Sequence, residues 1–206
     1  MDYKNLLIRT IIAIIFIGFY LLLFKNYIFI IVSFSLIYFV IFYEVIKYFN
    51  NNIKIITIYL FISLVSFYTY AFFYYDYFIF NILIFSIILF DTFSYVCGNY
   101  FGKNLILKKI SPKKTLEGLL GGIFFTNLLI LIFFYLYIKN YNLLSLIILL
   151  NSIILFSFIG DILQSFFKRE NNLKNSSSLL PGHGGFFDRF DSFIFSIIFL
   201  LTYSLI

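Results

Sequence analysis

Charge is what this chain has least of, and that scarcity decides most about it. Only 12% of its 206 residues are Asp, Glu, Lys or Arg, while 63% are apolar and 24% aromatic. Soluble domains carry about 25% charged and roughly 45–50% apolar residues. A chain so poor in polar side chains cannot cover the surface of a soluble globule. Disorder is excluded too, because it requires low hydrophobicity and high charge. What remains is an integral membrane protein. The single cysteine, Cys97, excludes an intrachain disulfide framework and a cysteine zinc site. Trp is absent, and there are two Ala against fifteen Asn. This bias reads as drift toward A/T-rich codons. Many apolar positions are then interchangeable, and the polar residues that resist the drift are the informative ones.

What is present is a series of long uncharged runs. Residues 26–43, 55–75, 118–138 and 140–160 contain no charged side chain. Each is long enough, or nearly so, to cross about 30 Å of hydrocarbon as a helix. Shorter runs at 10–24 and 192–206 extend into apolar flanks, and 77–102 carries only Asp91. The expected fold is an all-α integral membrane protein of about seven transmembrane helices, near 6–24, 27–46, 54–75, 77–97, 117–138, 143–163 and 190–206. Residues 1–206 are expected to form a single polytopic domain, with no internal repeat. A transmembrane barrel would need alternating polarity, which the runs lack. No cleavage site follows the first run, so it reads as a span rather than a removable signal.

Seven spans divide the fifteen Lys and Arg residues thirteen to two, with only Lys25 and Lys139 in the minority loops. The positive-inside rule then places the N-terminus in the cytoplasm. The net charge of +6 is concentrated on one membrane face, where lipid head groups and phosphorylated solutes meet it. Nucleic acid is not an expected partner, because no basic face stands apart from the membrane plane. The expected location is a bacterial-type inner membrane.

Two polar islands, 91–118 and 160–192, hold 15 of the 24 charged residues. Two spans separate them, so both are expected on the cytoplasmic side. Asp91, Asp161, Asp188 and Asp191 fall at a similar depth in this topology. Intramembrane carboxylates are costly and usually paired or bound to something. The i,i+3 spacing puts Asp188 and Asp191 on one helix face, and carboxylate oxygens suit a hard cation such as Mg²⁺. The plainer alternative is that they pair with Arg189, Lys168 or Arg169 and only fix the bundle. Lys103, Lys108, Lys109, Lys113 and Lys114 read either as a topology signal or as a phosphate-neutralising cluster. Pro112 disfavours helix at Ser111 and favours one behind it, with Ser111 or Thr115 as cap and Glu117 or Gly118 in the first turn. Such a helix start offers N–H groups to a phosphate. Residues 181–185, Pro-Gly-His-Gly-Gly, form a tight turn with room for phosphate oxygens. It contains His183, the one histidine.

Taken together these residues resemble the phosphatidate cytidylyltransferases, or CDP-diacylglycerol synthases. The stretch from Ser165 to Asp191 is similar to that family's signature, S-x-Φ-K-R-x4-K-D-x-small-x2-Φ-P-x-H-G-G-Φ-x-D-R-Φ-D with Φ apolar. It departs at one specified position, where Asn175 stands in place of Asp. The first island is similar to the family's D-[TS]-x-[AS]-Y…G…F-G-K…S-P-K-K-T-x-E-G, through Asp91, Thr92, Tyr95, Gly98, Phe101, Gly102, Lys103 and Ser111 to Gly118. Family members usually carry one or two more spans before the first motif, so the resemblance implies a chain trimmed there.

The resemblance implies that CTP and phosphatidate react to CDP-diacylglycerol and pyrophosphate, with Mg²⁺ required and a second cation left open. It implies Asp188 and Asp191 as first metal ligands, then Asp161 and Asp91. Lys168, Arg169, Lys174 and Arg189 are expected beside the reacting phosphates, together with Asp188 and Asp191. Ser111, Lys113, Lys114, Thr115, His183, Gly184 and Gly185 are expected to bind substrate. A homodimer in the lipid bilayer is also implied. Three other readings compete. A polyprenol- or phytol-kinase-like enzyme would also use CTP. A transporter would place its carboxylates near the midplane between repeats. A decayed remnant would have no turnover.

Overall fold

A computed structural model describes residues 27–137, 142–180 and 184–205. The helices are α1 (Tyr27–Tyr48), α2 (Ile53–Thr69), α3 (Tyr77–Phe101), α4 (Leu116–Tyr137), α5 (Leu143–Glu170) and α6 (Phe187–Ser204). A π-helical turn, Tyr70–Tyr74, continues α2. Five helical stretches are long and apolar enough to cross a membrane: Tyr27–Tyr48, Ile53–Tyr74, Tyr77–Phe101, Leu116–Leu136 and Leu143–Glu170. The expected span 6–24 lies outside the described residues. The expected span 190–206 is α6, which starts earlier and carries Asp188, Arg189 and Asp191 near its start. These charges make it less apolar than the other five, so five of the expected seven are long and apolar enough to span among the described residues.

One element departs from an all-helical reading. Between α3 and α4 the chain forms an antiparallel hairpin of β1 (Leu105–Leu107) and β2 (Ser111–Thr115), with Leu105 opposite Thr115 and Leu107 opposite Ser111. Ser111 is therefore in a strand and does not cap a helix. Pro112 is tolerated there because a two-stranded ladder leaves edge positions that need no N–H. Thr115 does cap α4: its Oγ1 accepts the Gly118 N–H at 3.1 Å. Asp76 caps α3 in the same way, accepting from Phe78 N at 2.7 Å and Ile79 N at 3.0 Å.

Packing follows membrane rules. Lipid tails are as apolar as Leu, so helices associate by close contact and a few polar pairs. The α3–α4 contact needs glycine: a Cβ at Gly121 would lie 2.5 Å from Cys97 Sγ. The α5–α6 contact needs Gly160, where a Cβ would meet the Asp191 carbonyl oxygen at 2.7 Å. Four helices converge on Phe34, whose ring lies 5.2 Å from Phe67, 5.7 Å from Phe80 and 4.6 Å from Phe193. Polar pairs join the rest. Ser63 Oγ donates to Ile194 O at 2.7 Å, and Asn127 and Asn151 exchange amide hydrogen bonds at 3.2 and 3.3 Å. Large apolar side chains such as Phe39 and Phe73 are 74% and 79% exposed. In a soluble protein this would be a liability, but against lipid it is the natural outer surface.

The length of α5 positions the polar region. Its 28 residues make about 42 Å of helix against about 30 Å of hydrocarbon. The helix ends in a charged last turn that carries Lys168 and Arg169.

Candidate functional site

Two polar assemblies form where α3, α5 and α6 meet the hairpin and the segment before α6. The first is a cleft of about 250 Å³ lined by Asp91, Ser94 and Tyr95 from α3, Ser111 and Lys113 to Thr115 from β2, and Phe158 and Asp161 from α5. The hairpin brings its lysines over the helices because both its ends are tied down. Glu117, in the first turn of α4, accepts from Lys103 N at 3.0 Å and Asn104 Nδ2 at 2.8 Å. At the hairpin turn, Arg169 donates through Nε to Ile110 O at 3.2 Å and through Nη1 to Leu173 O at 3.3 Å. Inside the cleft Lys114 Nζ lies 2.6 Å from Asp161 Oδ2 and 4.5 Å from the centre of the Phe158 ring. Lys113 is exposed and makes no hydrogen bond or ion pair among the described residues.

The second assembly surrounds Asp188 in the first turn of α6. Its Oδ1 accepts from Gln164 Nε2 at 2.7 Å and Lys168 Nζ at 2.8 Å. Its Oδ2 accepts from Ser176 N at 2.8 Å, Ser176 Oγ at 3.1 Å and Gly185 N at 3.1 Å. Gly184 adopts φ +83°, and a Cβ there would come within 2.5 Å of Asp188 Oδ2. Only glycine meets both conditions. The turn is closed by Leu180 N donating to Gly184 O at 2.8 Å.

Asp191 lies between the assemblies. It accepts from Ser192 N at 2.8 Å and is within electrostatic reach of Asp161, Asp91 and Lys168. Among the described residues no three His, Cys, Asp or Glu side chains form a set that could hold one metal ion. The four carboxylates expected to act together are thus divided. Asp91, Asp161 and Asp191 share a neighbourhood, whereas both oxygens of Asp188 are already filled by donors.

The expected substrate residues Ser111, Lys113, Lys114 and Thr115 do come together at the cleft. Gly185 N–H, expected to face phosphate, is occupied by Asp188. Arg169 ties the hairpin turn to the segment before α6. Lys174 is exposed and makes no hydrogen bond or ion pair among the described residues, and Arg189 is exposed. His183 lies outside the described residues, as do Pro181 and Gly182. The plainer reading, that Asp188 pairs with Lys168 to fix the bundle, matches the geometry at that residue.

Sequence reasoning missed Glu44. This carboxylate is wholly buried in α1 and accepts hydrogen bonds from Ser176, Ser177, Phe186 and Phe187. A signal was available: Glu44 is the charge that ends the uncharged run 26–43.

The sequence profile of the Cytidylyltransferase family matches residues 55–206. A phosphatidate cytidylyltransferase of Staphylococcus aureus is 41% identical over 104 residues, covering 50% of this chain and 40% of that protein. The Aquifex aeolicus protein of the same name is 40% identical over 104 residues, 50% of this chain and 38% of the relative. That of Haemophilus influenzae is 38% identical over 112 residues, 52% of this chain and 38% of the relative. The matched stretch is therefore less than half the length of these relatives.

Proposed function

The chain belongs to the cytidylyltransferase family, and from that premise we propose that it transfers CMP from CTP to phosphatidate. The products are CDP-diacylglycerol and pyrophosphate, made at the cleft between α3, α5 and the hairpin. The observation that carries this reading is the composition of the cleft. Two lysines and two carboxylates line one opening beside helices that cross the bilayer. A lipid phosphate and a nucleotide can meet only at such a boundary.

The chemistry asks for positioning more than for a nucleophile. A phosphate oxygen of phosphatidate bonds to the α-phosphorus of CTP. The bond from that phosphorus to the bridging oxygen breaks, and pyrophosphate leaves with the electron pair. The two substrates are both polyanions, so their approach needs fixed positive charge. Lys113, exposed at the cleft, supplies a free ammonium group. Lys114 is held in place by Asp161 and the Phe158 ring. Tyr95, 69% exposed at the rim, offers an aromatic face.

Mg²⁺ belongs to this reading. Asp91 and Asp161, the two carboxylates that line the cleft, would offer it hard oxygen donors. Mg²⁺ commonly takes one or two protein carboxylates and completes its shell with water and phosphate oxygens, so a closed protein cage is not required. When bound it would neutralise phosphate charge. The thirteen-to-two division of basic residues supports a cytoplasmic site with the N-terminus inside.

The test uses membranes containing the full chain, given labelled CTP, phosphatidate and Mg²⁺, beside an Asp161→Asn control. Labelled CDP-diacylglycerol with pyrophosphate is the expected product. CDP with a phosphorylated lipid would instead identify a kinase. No labelled lipid above the control would sink the proposal.

A further inference from the structure

Glu44 lies in α1, outside the matched stretch 55–206, and touches no residue of the cleft. It is 0% exposed. A carboxylate so buried persists only when its oxygens are filled. Here Oε1 accepts from Ser177 Oγ at 2.7 Å and Phe186 N at 2.8 Å, and Oε2 from Phe187 N at 3.0 Å and Ser176 Oγ at 3.2 Å. None of these donors is a cation. Two are backbone N–H groups at the start of α6, where a helix presents partial positive charge. The residue at the cap position, Phe186, has no side-chain oxygen to accept from them. Glu44 therefore caps α6 from another helix.

The same carboxylate reaches the site through one shared hydroxyl. Ser176 Oγ lies 3.2 Å from Glu44 Oε2 and 3.1 Å from Asp188 Oδ2. Its one proton serves one carboxylate at a time, while the Ser176 backbone N–H stays on Asp188 at 2.8 Å, so this one residue lies against both anions. Gly185 lies against both: a Cβ there would come within 2.6 Å of each Glu44 oxygen, and its N–H donates to Asp188. Asp188 in turn holds Lys168. The chain of contacts runs from Glu44 through the start of α6 and Ser176 to Asp188 and Lys168.

We propose that Glu44 is a positioning residue for the transfer described above: a buried anion that anchors residues 176–177 and 184–187 so that the start of α6, with Asp188 and Asp191, keeps its place beside the cleft carboxylates Asp91 and Asp161. The proposal rests on that functional reading. Glu44 lines no part of the cleft, so its loss disturbs the rate more than substrate binding.

Glu44→Gln and Glu44→Asp are made in the full chain in detergent–lipid micelles. Two readouts are taken: tryptic cleavage after the exposed Lys174, and kcat and KM for CTP. Gln keeps one acceptor but turns an N–H₂ toward two of the four donors. Cleavage is expected to quicken about tenfold, because it follows local opening. The kcat is expected to fall by roughly tenfold to a hundredfold, the usual cost of a small misplacement, with KM within about threefold. Glu44→Asp should be intermediate in both. Unchanged kcat in Glu44→Gln overturns the proposal even if cleavage quickens, since the role is then purely structural. Should the Gln variant fail to fold, kcat in Glu44→Asp decides by the same criterion. A wild type that makes no CDP-lipid sinks the functional reading instead, and the cleavage rate alone then decides whether Glu44 is an anchor.

Discussion

The cleft at the hairpin and the anchor around Asp188 use the same residue types in opposite ways. In the cleft, Asp161 has one cation at 2.6 Å and its side chain remains 31% exposed. Asp91 is exposed and Lys113 has no protein partner among the described residues. At the anchor, Asp188 has five donors among the described residues, its side chain is 9% exposed, and buried Glu44 sits behind it with four, one of them the shared Ser176 hydroxyl. Carboxylates with unfilled lone pairs beside an exposed lysine are equipped to meet a ligand. Carboxylates whose lone pairs are filled are equipped to hold backbone. Acidic residues in a membrane protein therefore divide by how many donors they already have, not by their spacing in a motif.

That contrast can be broken most forcefully at Asp188. Asp188→Ala removes five acceptor contacts and strands Lys168, so the expected loss is about 3–5 kcal/mol, typical of breaking a buried pair. Thermal unfolding in detergent would register it, and product formation should vanish with it. If the variant keeps its melting temperature, Asp188 is not an anchor.

Asp161→Asn should separate activity from stability. The pair with Lys114 is partly open to solvent, so stability should change by about 1 kcal/mol or less. Turnover should fall roughly a hundredfold, because the cleft loses a carboxylate that would hold Mg²⁺ and the partner that fixes Lys114. A large stability loss with normal turnover would reverse the assignment of the two regions.

The smallest effect is expected at Asn175, where the related signature has Asp. Asn175 is exposed, and its Cβ lies 3.5 Å from where a Gly184 Cβ would stand. Asn175→Asp should leave kcat within about threefold, as surface changes usually do. A rise of about tenfold, equal to 1.4 kcal/mol of barrier, would move position 175 into the chemistry.

Much of this was legible before any coordinates. The uncharged runs between 27 and 160 correspond to helices, because hydrocarbon tolerates no unpaired backbone. Lys113, Lys114 and Thr115 were expected near a phosphate and Asp91 and Asp161 near a metal ion, and all five line one cleft. The hairpin was not legible: Pro112 signalled an end to helix, but two short strands carry no periodicity strong enough to show. The cap at Ser111 failed for the same reason, since the helix starts only after Thr115.

The sequence by itself determined that the chain is built for a membrane and where its helices run. Charge scarcity and run length are one-dimensional properties, and the bilayer reads them directly. Only the tertiary structure decided which carboxylates are filled and which are open. Glu44 meets Ser176 and Phe187 across 132 and 143 positions of chain. No local pattern encodes a hydrogen bond at that range, because it exists only once the Glu44 turn of α1 is brought against the start of α6.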